Sequence, residues 1–235
     1  MLLIRTWDWL IGKLNVSVDR KFIFVTGCDS GFGEELCVEL DRLGCHVFAG
    51  CLTVEGMVNI KDKCSAKVFP VKLDVRDHAS ILNYNFPLIP GLWALVNNAG
   101  ICGAVGPTQW LNAGDFKEVL ETNLLGAIDV TLSALPLLKS ENKYDSCRIV
   151  NMISVLAHFH SPLTLPYTLS KASLSIFSKV LRMELKGMNV RVCTIEPGAH
   201  ISNFTDRTEM SLKQTWDRLP LVDQLLFGKQ NYEKS

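Results

Sequence analysis

A short apolar run at residues 21–26 (KFIFVT) leads into a glycine-rich turn at 27–33 (GCDSGFG), and then into residues 34–43 (EELCVELDRL). The first run is rich in β-branched and aromatic residues and predicts a buried strand. The third segment carries Leu36, Cys37, Leu40 and Leu43 at helical spacing, and Gly44 stops it. Strand, tight glycine turn and helix in that order open a βαβ unit, which requires a second strand parallel to the first.

The alternation continues. Residues 45–51 (CHVFAGC) predict a second strand, 53–63 a short helix, and 67–73 (KVFPVKL) a third strand. Pro70 in that third strand predicts an edge position or an irregularity, because proline cannot donate to a ladder. Residues 92–97 (LWALVN), 148–153 (RIVNMI) and 189–195 (NVRVCTI) predict three more strands, separated by helical stretches at 114–138 and 166–185. Between 75 and 91 the pattern is weak: residues 83–90 (NYNFPLIP) hold two prolines, so any crossover helix there is short. Six strands alternating with helices predict an α/β, Rossmann-type, doubly wound parallel sheet in a single domain. Residues 1–20 are expected to form a leader and 21–235 the dinucleotide-binding and catalytic domain.

Composition narrows the class. Twenty-four basic and 24 acidic residues cancel, which excludes a nucleic-acid partner that needs a basic face. The eight cysteines include no C-x-x-C pair, so no metal site is expected from them, and buried or half-buried free thiols are expected instead. His158 and His160 lack a third ligand nearby and read as solvent-facing loop residues. At the N-terminus, Trp7, Trp9, Leu10 and Ile11 are interrupted by Arg5, Asp8 and Lys13. That stretch falls short of the ~20 apolar residues that span a bilayer, though its tryptophans suit a membrane interface.

Three groups of residues carry chemistry. Gly27, Gly31 and Gly33 lie between a strand and a helix N-terminus, where backbone approaches a pyrophosphate and unpaired N–H groups receive it. Tyr167 and Lys171 are four residues apart, 171 − 167, so a helix places them on one face, where an ammonium lowers a phenol pKa of ~10. Such a tyrosine serves as general acid or base. Ser154 ends a strand, and strand C-termini are where such sheets hold ligands, so Ser154 and the tyrosine helix can meet. Asn97-Asn98-Ala99-Gly100 ends another strand at the same edge, either as a plain turn or facing a cofactor. Asn123 stands in a helical stretch that otherwise favours apolar residues, either exposed or as a buried polar group with a role.

In combination, TGCDSGFG, NNAG, the Ser154 region, YTLSK and Pro197-Gly198 resemble the short-chain dehydrogenase/reductase family. AGCLTVEG at 49–56, GLWALVNNAG at 91–100 and IEPG at 195–198 resemble its retinol dehydrogenase and 17β-hydroxysteroid dehydrogenase branch. The resemblance implies an oxidoreductase that transfers hydride between NAD(H) and an apolar alcohol, ketone or aldehyde, with NADP the alternative cofactor. Its implied catalytic residues are Asn123, Ser154, Tyr167 and Lys171: Tyr167 the acid/base, Lys171 its partner and a ribose ligand, Ser154 the orienting hydroxyl, and Asn123 the holder of a helix kink and a relay water. The implied cofactor-binding residues are Gly27, Ser30, Gly31, Phe32, Gly33, Asp74, Asn98, Ala99, Gly100, Tyr167, Lys171, Pro197 and Gly198, with Asp74 at the adenine and Asn98 at the adjacent ribose.

The same resemblance implies a homodimer through the helices bearing Asn123 and Tyr167. It also implies association with the endoplasmic reticulum membrane, the cytoplasm being the alternative. Relatives carry a further strand beyond this point, so the sheet is expected to lack its last strand. A catalytically weak or inactive variant, acting through nucleotide or partner binding, stands as the competing expectation.

Overall fold

The computed structural model describes residues 18–82, 91–138, 146–198 and 203–228. Six parallel strands make one sheet in the order β3-β2-β1-β4-β5-β6. The strands are β1 (Phe22–Thr26), β2 (His46–Cys51), β3 (Val68–Lys72), β4 (Ala94–Asn97), β5 (Cys147–Met152) and β6 (Val190–Ile195). The chain winds outward from β1 to β3, then returns to the centre and winds the other way through β4. The switch point therefore lies between β1 and β4, paired in register as Val25↔Val96. In such sheets ligands bind beyond the strand C-termini at this crevice.

Side chains alternate across β1, as a strand requires. Ile23 and Val25 enter one buried layer with Val47, Ala49 and Ile60. Phe24 enters the other, with Leu95, Ile149 and Leu181. Helices α1 (Gly31–Arg42) and α2 (Val54–Lys63) cover the first face. The second is covered by the short α3 (His78–Leu82), by α4 (Ala113–Leu120) with α5 (Gly126–Ala134), and by α6 (Leu165–Glu184). Both faces are covered over β1 and β2, which explains why those strands read as apolar runs, whereas β6 leaves Arg191, Cys193 and Ile195 exposed on one face. Pro70 sits on β3, at the sheet edge opposite Ala49, as its missing N–H demands.

Several expectations need correction. The first helix starts at Gly31, inside the glycine turn, rather than at Glu34. The helix expected over 114–138 is broken by a π-turn at Glu121–Leu125 and ends in a 3-10 turn at Leu135–Leu137. Seven cysteines are buried or half-buried free thiols, but Cys193 is exposed because it points outward from β6. Among the described residues the crossover holds the five-residue α3; residues 83–90 and the N-terminal tryptophans lie outside the described residues.

Two helices beyond β6 had no counterpart in the sequence reading: α7 (Asn203–Asp217) and α8 (Leu221–Phe227). They pack over the loop that leaves β4. Ser211 donates to the Gly103 carbonyl at 2.8 Å and accepts from the Val105 N–H at 3.2 Å. Trp110 contacts Trp216 and Phe227 at centroid distances of 5.2 and 4.7 Å. Arg218 grips the buried Asp115 carboxylate with both guanidinium ends, at 2.6 and 2.5 Å.

Candidate active site

The glycine turn is fixed from the β4 side. The Thr26 hydroxyl accepts the N–H groups of Asn98 and Ala99, both at 3.0 Å. The Asn98 amide donates to the carbonyls of Thr26 at 2.9 Å and Gly27 at 3.0 Å. These bonds clamp the C-terminal ends of β1 and β4 together at the switch point. Backbone crowding there requires glycine: a Cβ at Gly33 would lie 2.3 Å from the Gly27 carbonyl oxygen. Gly27 itself adopts φ +69, which side chains disfavour. Ser30, Gly31 and Phe32 are exposed along the rim, and Ser30 caps α1 without a side-chain hydrogen bond. Such a helix start offers N–H groups to an anion.

Asn123 is fully buried in the π-turn. The widened helical turn lets its amide reach sideways into the loop after β4. Its Oδ1 accepts the Ile101 N–H at 2.8 Å, and its Nδ2 donates to the Ile101 carbonyl at 2.9 Å and to Ser170 Oγ at 3.0 Å. Ser170 in turn donates to the Tyr167 carbonyl at 2.7 Å. Of the two roles open to Asn123, the buried polar group is the one realised.

Ser154 ends the β5 segment and opens a 3-10 turn at Val155–Ala157, accepting the Leu156 N–H at 3.2 Å. Its hydroxyl also bonds the Tyr167 phenol. Burial pushes that phenol above its ordinary value, and the Ser154 bond works against the rise. Lys171 lies one turn further along α6 and is buried, donating to the Met152 carbonyl at 2.8 Å. Burial pushes Lys171 down to about 8. Its Nζ stands 5.6 Å from the Tyr167 ring centroid. The sequence leads one to expect the lysine to lower the phenol; instead burial raises it, and Ser154 is what works the other way. Gly100 lies against this group, since a Cβ there would lie 3.3 Å from both Lys171 Nζ and Asn123 Oδ1.

Asn123, Ser154, Tyr167, Lys171 and Gly100 thus converge beyond β4 and β5. Pro197 joins this edge, its carbonyl accepting the Val155 N–H at 3.2 Å, with Gly198 beside it. Asp74 lies past β3, away from the Tyr167 group. Arg76 binds its carboxylate through Nε at 2.9 Å and Nη2 at 2.7 Å and holds it below the usual carboxylate range. His158 pairs with Glu196 at 3.2 Å, and His160 is exposed.

One residue of the glycine turn was not among the residues singled out from the sequence. Asp29, inside the glycine turn, holds the β2–α2 turn through Leu52 and Thr53. The available signal was an acidic residue in the glycine turn combined with a β2 end that carries none.

The chain is similar to known proteins. Residues 21–213 match the short chain dehydrogenase family. The chain is 40% identical over 224 residues to retinol dehydrogenase 7 of Rattus norvegicus, covering 92% of this chain and 69% of that protein. It is 36% identical to retinol dehydrogenase 5 of Homo sapiens, covering 94% and 70%. Bos taurus 17-beta-hydroxysteroid dehydrogenase type 6 is 37% identical, at 91% and 68% coverage. In fold it is similar to a 3-ketoacyl-(acyl-carrier-protein) reductase from Brucella melitensis, with a TM-score of 0.76 at 22% identity, covering 92% of this chain and 94% of that one. With its glycine turn, buried Asn123 and Ser154–Tyr167–Lys171 group all at one sheet edge, the chain belongs to the short-chain dehydrogenase family.

Proposed function

We propose that this chain is an oxidoreductase that transfers hydride between NAD(H) and an apolar alcohol or carbonyl, such as a retinol or hydroxysteroid. The observation that carries this reading is the convergence of Ser154, the half-buried Tyr167 and the buried Lys171, whose Nζ stands 5.6 Å from the Tyr167 ring centroid, at the C-terminal sheet edge. The substrate class follows the relatives, which are named retinol and hydroxysteroid dehydrogenases.

The residues present fit a dinucleotide. A Cβ at Gly31 would meet nothing within 4 Å, so the rim of the glycine turn is open. The start of α1 offers N–H groups to a pyrophosphate, lined by Gly27, Ser30, Gly31, Phe32 and Gly33. Asn98, Ala99 and Gly100 line the β4 side, Pro197 and Gly198 the β6 side, and Asp74 the adenine end. The bound nicotinamide supplies the hydride donor or acceptor.

The protein positions and moves the proton. The Tyr167 phenol, pushed above its ordinary value by burial, is protonated at neutral pH, so reduction of a carbonyl finds its acid ready, and Tyr167 donates from its hydroxyl oxygen. Ser154 holds the same oxygen of the substrate through its hydroxyl. In the oxidation direction Tyr167 accepts the alcohol proton, and the Lys171 ammonium favours that charged state. Asn123 fixes the loop at Ile101 and, through Ser170, the first turn of α6 that carries Tyr167.

Exposed Leu125, Leu132, Leu169, Ile176 and Met183 on the α4–α5 and α6 helices support a homodimer through these faces. Association with the endoplasmic reticulum membrane is supported by the exposed Leu221, Val222, Leu225 and Leu226 of α8. Among the described residues no helix is long and apolar enough to cross a membrane.

The test is a thermal-shift titration with NAD, followed by turnover of retinol and hydroxysteroids. Saturating NAD is expected to raise the melting temperature, and at least one of these apolar alcohols to yield NADH. Absence of both effects contradicts the reading and favours an inactive variant.

A further inference from the structure

We propose that Asp29 selects NAD over NADP, by placing a carboxylate from the glycine turn at the seat of the adenosine ribose. The inference rests on the dinucleotide reading above and goes one step further, to the residue that decides which dinucleotide is taken.

In doubly wound dinucleotide folds, an acidic residue at the end of the second strand binds the ribose 2′-hydroxyl, and an arginine there accommodates a 2′-phosphate. The end of β2 in this chain is Cys51-Leu52-Thr53, which carries neither. Asp29 fills the position from the opposite side. Its Oδ2 accepts the Leu52 N–H at 2.8 Å. Its Oδ1 accepts the Thr53 N–H and the Thr53 hydroxyl, both at 2.7 Å. The seat is close: a Cβ at Gly56 would lie 2.4 Å from Asp29 Oδ1.

A carboxylate has roughly four acceptor sites. Three of Asp29's are taken by these bonds, and the half-buried side chain keeps one on Oδ2 for a ribose hydroxyl. A 2′-phosphate at the same place would meet a like charge. Lys72, which reaches the same turn, does not offset this. Lys72 donates to the Leu52 carbonyl, which belongs to the same trans peptide as the Thr53 N–H and points the opposite way. The ammonium therefore sits on the far side of the peptide that Asp29 holds.

The experiment measures NAD and NADP affinities by calorimetric titration of wild type, Asp29→Asn and Leu52→Arg. Wild type is expected to prefer NAD, and Asp29→Asn to narrow that preference by about tenfold through tighter NADP binding, the scale of one near charge pair in partly exposed surroundings. If Asp29→Asn weakens both dinucleotides equally, Asp29 is only a tie between loops and the proposal falls. A wild-type preference for NADP also overturns it. Leu52→Arg keeps the Asp29 tie and adds a cation at the same turn, so it serves if Asp29→Asn fails to fold. NADP affinity must then rise relative to NAD, and no change would show that the ribose lies elsewhere. Loss of all dinucleotide binding by folded wild type refutes the underlying functional reading instead, and is distinct from either failure.

Discussion

Asn123 Nδ2 donates to Ser170 Oγ at 3.0 Å, and Ser170 passes the contact on to the Tyr167 carbonyl at 2.7 Å. A side chain in one helix thereby sets the first turn of another, and with it the phenol. Asn123→Ala would leave the N–H of Ile101 unpaired against a buried wall. An orphaned buried group costs about 1–3 kcal/mol. Urea denaturation should show a loss of that size, with turnover falling as Tyr167 loses its register.

Lys171 gives a stability signature with a definite sign. Its folded pKa is about 8, below the unfolded 10.5, because burial disfavours the ammonium. The unfolded chain therefore binds the proton more tightly, and the charged lysine destabilises the fold fully below pH 8. That cost is relieved as pH rises from about 8 to 10.5. Lys171→Met should be more stable than wild type at pH 7, by up to about 3 kcal/mol, with the advantage shrinking across that window. Melting temperatures of the two proteins against pH check this; a constant difference would refute it.

The Arg218–Asp115 pair joins the residue that follows α7 to α4 across 103 residues of chain. Burial raises the Asp115 carboxyl, but the Arg218 hydrogen bonds and the Asn112 N–H outweigh it and hold the group below 3.8. The pair therefore stabilises the fold above the ordinary carboxylate range and loses that contribution as pH falls through the depressed value. Arg218→Ala should cost about 1–3 kcal/mol at pH 7 by leaving a buried carboxylate unpaired. The deficit should disappear in acid, which chemical denaturation at neutral and acidic pH would measure.

Gly33→Val tests the cradle. The added atoms would strike the Gly27 carbonyl, 2.3 Å from the first Cβ position. The turn must shift, and NAD binding is expected to drop by at least about tenfold. A folded variant that binds NAD as wild type does would remove the glycine turn from the site.

The strands β1 and β2 were legible because both of their faces are covered, so they appear as apolar runs broken by glycines and polar helix faces. Pro70 even marked the edge strand. The break at Asn123 was not legible, because apolar periodicity continues through it and the π-turn answers to Ile101 in a distant loop. Helices α7 and α8 are held by Ser211, Trp216 and Arg218 reaching back about a hundred positions, which no local pattern announces. The motifs located Ser154, Tyr167 and Lys171, but not the direction of the electrostatics. Desolvation depends on how deeply α6 packs, and that is a tertiary property. Asp29 escaped because two of its three partners are backbone N–H groups, at Leu52 and Thr53, which carry no sequence identity.

The central claim is that Tyr167 exchanges the proton while the dinucleotide sits at the glycine turn. A single-turnover reaction of NAD-saturated enzyme with an apolar alcohol tests it most directly, comparing wild type with Tyr167→Phe. Wild type should form NADH in one burst, and the variant should bind NAD with similar affinity yet form NADH at least about a hundredfold more slowly, the lower range for loss of a general acid or base. NADH formation by Tyr167→Phe at the wild-type rate would contradict the account.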